Sequence, residues 1–131
     1  MPDSHTEAIR DYLRIELPVL GISDFASAEF ASVVTRRVRM AELAVEQADR
    51  LLNVYDGWVA ANTEQLGVEP TDIRVATTFV RRFDLGLRAP DALHIAICQR
   101  LQVPLLTFDT RQAAAASHLG IQLSRCSPSV M

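Results

Sequence analysis

The segment Ala89-Pro90-Asp91-Ala92-Leu93-His94-Ile95-Ala96-Ile97-Cys98 reads as a helix that is apolar on nearly all sides. A helix without a polar face must be covered all round, as happens when it lies between a sheet and further helices. Pro90 places the helix start, because a proline at the first helical position forfeits no intrahelical hydrogen bond. The chain is long enough to provide the cover. With 131 residues, 49% hydrophobic and 22% charged, it is expected to fold as one compact domain, 1–131, without linker, repeat or low-complexity segment.

Two short apolar runs supply candidate strands. Leu17-Pro18-Val19-Leu20-Gly21-Ile22 reads as a short buried strand, and Val103-Pro104-Leu105-Leu106-Thr107-Phe108 as one buried on both faces. A helix is expected at 4–14, with Ala8, Ile9, Tyr12 and Leu13 clustered at helical spacing. Ser23 or Asp24 can cap the next helix, "FASAEFASVVTRRV". The clearest amphipathic helix runs over 44–61, striped by Ala44, Ala48, Leu51, Leu52, Tyr55, Trp58 and Val59. "TEQLGV" reads as a strand, and Pro70-Thr71-Asp72 opens a helix with Ile73, Ala76, Val80 and Phe83 inward. A helix over 110–118 and a short strand at Ile121-Gln122-Leu123 complete the pattern. Helices alternating with short apolar strands imply an α/β sandwich around a parallel sheet. The chain nevertheless opens on a helix, where a parallel α/β unit normally opens on a strand.

A formal net charge of −3 does not announce a nucleic-acid partner, so any basic surface must be local. Cys98 and Cys126 do not make a disulfide framework, and a reducing, cytoplasmic location is expected. No apolar run approaches the roughly 20 residues of a membrane span, and the N-terminus lacks the apolar core of a signal peptide. A membrane is therefore not an expected partner.

Three acids stand apart. Glu29 interrupts an apolar segment, Asp91 opens the apolar helix, and Asp109 follows directly on "PLLTF". Each has a purely structural explanation: Glu29 at a helix boundary with its carboxylate in water, Asp91 complementing a helix dipole, Asp109 as an N-cap. Ligands of parallel sheets bind beyond the carboxyl ends of the strands, where Asp109 falls and where the helix begun by Asp91 can face it. Carboxylates converging there repel one another unless a divalent cation neutralises them, and an all-oxygen set suits Mg²⁺ or Mn²⁺. A competing set, Asp91, His94 and Cys98, has the spacing to share a helix face and ligate zinc, but structural zinc sites usually need a fourth ligand and no second pair matches. Arg36, Arg37, Arg39, Arg81 and Arg82 suit helix C-termini, while Arg88 and Arg111 flank the acids and are placed to meet phosphates. There is no nucleophile elbow and no phosphate-cradling Gly-rich loop.

"SDFASAEFASVVTRRV" followed by "FDLGLRAPDALHIAICQRLQVPLLTFDTRQAAAASHLGI" resembles the PIN-domain family, most closely the VapC-like ribonuclease toxins of type II toxin–antitoxin pairs. The resemblance implies a three-layer α/β sandwich, a short parallel sheet flanked by helices, and a Mg²⁺- or Mn²⁺-dependent site that cuts RNA. It also implies inhibition by a cognate antitoxin, and such toxins are commonly homodimers. Carried over by residue, Glu29, Asp91 and Asp109 match three of the family's four acids. Asp91 and Asp109 would hold the metal, and Glu29 would hold it or orient the attacking water. The fourth acid ends a central first strand that has no counterpart here. The chain is accordingly expected to be a shortened version of a longer one, weakened in fold and activity, since each unmet backbone group along a buried strand edge costs on the order of 1–3 kcal/mol. The alternative reading is a non-catalytic PIN-like module that pairs with an antitoxin or with itself through exposed apolar helix faces.

Overall fold

A computed structural model describes residues 20–124, which divide into two compact units, 20–68 and 69–124. The helix expected at 4–14, the start of the strand expected at Leu17, and Cys126 lie outside the described residues.

In the first unit, strand β1 (Leu20–Ser23) pairs in parallel with β2 (Thr63–Leu66), in a register running from Leu20 opposite Thr63 to Ser23 opposite Leu66. Parallel neighbours require a crossover. Helices α1 (Asp24–Arg39) and α2 (Val45–Asn62) provide it. Ser23 is the N-cap of α1, its hydroxyl accepting from the Ala26 N–H at 2.9 Å, so the last residue of the strand also starts the helix. Arg36, Arg37 and Arg39 lie at the other end, where cations offset the negative pole of the helix. The two helices meet through Phe30 stacked on Tyr55, with ring centroids 4.2 Å apart, and through a 2.9 Å hydrogen bond between the Ser27 and Tyr55 hydroxyls. A Cβ at Gly21 would stand 2.6 Å from Leu66 Cδ1, so a larger residue there would make the Leu66 side chain shift.

The second unit is built on three helices, α3 (Pro70–Val80), α4 (Ala89–Leu101) and α5 (Thr110–His118). Helix α4 buries Ala92, Leu93, Ile95, Ala96 and Ile97, as its sequence requires. Helix α3 packs along it through Ala76 and Phe79, and α5 contributes the buried alanines Ala113, Ala115 and Ala116. A charged clamp ties the start of α3 to the end of α4. Asp72, 2% exposed, receives Arg100 Nε at 2.8 Å on Oδ1 and Arg100 Nη2 at 3.0 Å on Oδ2, a bidentate fork. Asp72 Oδ2 also accepts the Glu69 backbone N–H at 2.9 Å, closing the first turn of α3.

Three expectations are corrected. The inward stripe of α3 runs through Asp72, Ala76 and Phe79, whereas Ile73 is 51% exposed. Turning the carboxylate of Asp72 toward Arg100 rotates the buried face by one residue. Phe83 is 95% exposed because α3 stops at Val80 and Phe83 lies in the turn beyond it, off the helical stripe. The run Val103–Phe108 is not a strand buried on both faces. Leu105 and Thr107 are buried while Val103 and Leu106 are exposed, and the pairing reduces to one parallel bridge, Leu105 to Leu123. Alternation of this kind covers one face of the segment only. On α2, Ala48 is buried and Leu52, Tyr55 and Val59 half-buried, while Leu51 and Trp58 lie at the margin, exposed. The described residues form a helix-rich α/β structure with a short parallel sheet flanked by helices, as the sequence pattern implies.

The clamp predicts a pH dependence. Burial pushes the Asp72 carboxyl upward, but hydrogen bonds from Arg100 and the Glu69 N–H, with the guanidinium charge, hold it below its ordinary 3.8. A carboxyl depressed in the folded state stabilises above its unfolded value, and that stabilisation is lost as pH falls through the folded value. Urea midpoints measured across the acid range should therefore decline from about 3.8 downward. Asp72→Asn should flatten that decline and lower the midpoint at neutral pH. Asp84→Asn, which breaks only the exposed pair with Arg82, should leave the midpoint nearly unchanged.

Candidate active site

Asp109 is the N-cap of α5. Its Oδ1 accepts the backbone N–H of Arg111 at 2.9 Å and of Gln112 at 3.1 Å, which satisfies two of the otherwise unpaired donors of the first turn. The structural explanation of this acid is thus correct as far as Oδ1 is concerned. Asp109 is also exposed, and its own N–H donates to the buried Thr107 hydroxyl at 3.1 Å.

Asp-Thr-Arg-Gln, residues 109–112, has the spacing of a capping box, in which Gln112 would reach back to the Asp109 N–H. Thr107 already occupies that donor, so the Gln112 side chain turns elsewhere. Its Nε2 donates to the backbone carbonyl of Asp91 at 3.2 Å. Gln112 is only 6% exposed. Through its backbone N–H and its amide, this one residue ties Asp109 to Asp91, which is half-buried in the first turn of α4. Sequence reasoning missed Gln112. The available signal was the capping-box spacing in an otherwise alanine-rich helix.

Two of the three acids are therefore gathered in one unit. Glu29 belongs to the other unit, half-buried in the second turn of α1, past the end of β1. Carboxylate oxygens are the right donors for a hard divalent cation, yet among the described residues no group of three or more His, Cys, Asp or Glu side chains stands ready to hold one. The zinc set on α4 is not assembled either. Burial pushes the Cys98 thiol up to about 11, away from the thiolate that zinc requires, and its sulfur faces the Pro104 carbonyl at 4.0 Å.

Arg88 occupies the N-cap position of α4 and Arg111 the first turn of α5, both exposed. The chain leading to Arg88 turns at Gly86, whose φ of +61° favours glycine. A Cβ at Gly86 would lie 3.9 Å from Arg111 Cδ, so this loop runs against the Arg111 stem. Two helix N-termini, two carboxylates and two guanidinium groups thus belong to one unit. Such an arrangement can bind phosphate oxygens through the cations and orient a water through the acids.

The capping role of Asp109 can be tested by itself. Asp109→Ala removes the cap and should cost about 1 kcal/mol of stability in chemical unfolding. Asp109→Asn keeps an acceptor oxygen and should retain most of it. Against known families, residues 2–117 match the model of the PIN domain. No curated protein matches the chain. The match spans most of the sequence, including Glu29, Asp91 and Asp109, and the chain belongs to the PIN domain family.

Proposed function

We propose that the chain is a metal-dependent endoribonuclease of the toxin class, acting in the cytoplasm and restrained by a cognate antitoxin. PIN domains are generally nucleases that use divalent metals and act on RNA. The observation that carries the reading is the tie made by Gln112 between Asp91 and Asp109. A buried amide used to fix one acid's backbone to the other acid's helix is a device for orienting functional groups, beyond what capping alone requires. In this reading Asp91, Asp109 and Glu29 hold Mg²⁺ or Mn²⁺, which when bound supplies charge neutralisation at the phosphodiester and lowers the pKa of water. Arg88 and Arg111 bind phosphate oxygens and hold the backbone of the RNA against the acids. Gln112 keeps the two acids in register.

A second reading rests on unit one. Leu51 and Trp58, each 41% exposed, and Val54, 69% exposed, form an apolar margin along α2. They favour a PIN-like module that pairs with an antitoxin or with a second copy through this helix, with or without catalysis. A complex formed in that way should survive EDTA.

Cleavage of a labelled RNA in Mg²⁺ tests the leading reading. Asp91→Asn should reduce the rate by about two orders of magnitude or more, with little change in unfolding midpoint. Gln112→Ala should lower the rate by about 10- to 100-fold, the usual effect of removing a group that orients a ligand. An Asp91→Asn chain that cuts at the parental rate would remove this acid from the site. A parental chain inert towards RNA in Mg²⁺ and in Mn²⁺, yet bound to a partner in EDTA, would favour the second reading.

A further inference from the structure

Phe83 is the most exposed large apolar residue among those described, at 95%, and no buried stripe accounts for it. The loop that carries it alternates: Leu85 and Leu87 are buried at 6% and 7% exposure and anchor the backbone, while Phe83 is left outside. Arg82 pairs with Asp84 at 2.9 Å across Phe83, with both charged side chains exposed beside the ring's position in the chain. The remaining exposed residues of the loop are Arg81, Arg82, Asp84, Gly86 and Arg88, and the loop passes Arg111 at Gly86 before reaching Asp91.

We infer that Phe83 is a stacking platform for an unpaired base of the RNA, on the strand that Arg88 and Arg111 lead to the acids. This inference rests on the nuclease reading and deepens it by naming a residue that engages a base of the substrate. A solitary aromatic among guanidinium groups is the composition of a single-strand site, where a ring takes the base face and cations take the backbone. A protein-docking anchor instead lies at the centre of an apolar patch. Here the apolar neighbours, Leu85 and Leu87, are turned inward and the exposed ones are charged. Phe83 carries no group that can move a proton or hold a metal. The residue therefore sets affinity and register, and it takes no part in bond breaking.

The test is binding to the full-length chain in EDTA, where turnover is suppressed, read by fluorescence anisotropy. The probe is a labelled single-stranded RNA of mixed sequence, with a fully paired duplex of the same length for comparison. The parent should favour the single strand. Phe83→Ala should weaken single-strand binding by about tenfold, within the range for loss of one base-aromatic stack, while Phe83→Trp restores it and Phe83→Leu does not. Substitution at so exposed a position should leave the circular dichroism unchanged. Equal affinity of Phe83→Ala and the parent overturns the inference. So does rescue by Phe83→Leu, which would mean simple apolar contact, or a parent that prefers duplex or binds no RNA. Loss of self-association in Phe83→Ala with RNA affinity unchanged also overturns it and assigns the ring to a protein partner. Asp91→Asn distinguishes the two levels: a variant that still cuts RNA sinks the catalytic assignment, while the Phe83 series is judged on binding alone.

Discussion

Helix α4 buries Ala92, Leu93, Ile95, Ala96 and Ile97, and the second unit is organised around them. Ala92 and Ile95 are fully buried and Ala96 nearly so. Small side chains on the facing α5, Ala113 and Ala116 among them, let that helix approach closely without leaving voids. On the α3 side the helix is met by Phe79 and Ala76 and then locked at its far end by the Arg100 fork. Its first turn, which carries Asp91, is held from α5 by the Gln112 amide on the Asp91 carbonyl.

The same economy governs Asp109. A carboxylate at an N-cap is well placed for the helix, since it meets unpaired donors and the positive end of the dipole. In this structure the cap engages one of its two oxygens. The capping role of Asp109 is thus compatible with the metal-binding role proposed for it. Glu29 has a different setting, in the unit that holds the parallel strand pair and its helical crossover.

Much of this was legible in the sequence because capping and helix termination are local. Ser23 and Asp109 cap the helices that their positions imply, Pro70 and Pro90 lie in first turns, and α5 has the bounds its alanine run suggests. The phase of α3 was not legible. Periodicity counts apolar residues, and here a carboxylate turns inward because a guanidinium 28 positions later meets it. The run at 103–108 misled for a related reason: an apolar composition specifies burial without specifying a ladder or covering both faces. Of the candidate site, the acids could be found from residue type and order. Gln112 could not, since its partner depends on which donor Thr107 has already taken.

That prior engagement makes Thr107 a hidden determinant of the site. Its buried hydroxyl decides between two conformations of a glutamine five residues later, one closed on its own helix and one reaching across to α4. A valine of nearly the same shape would leave the Asp109 N–H seeking an acceptor, and the Gln112 amide is the one within the spacing of a capping box. Gln112 would fold back, and the tie from its amide to the Asp91 carbonyl would be lost. Position 107 is therefore constrained through a backbone N–H: serine offers the same acceptor, and an isosteric apolar residue does not.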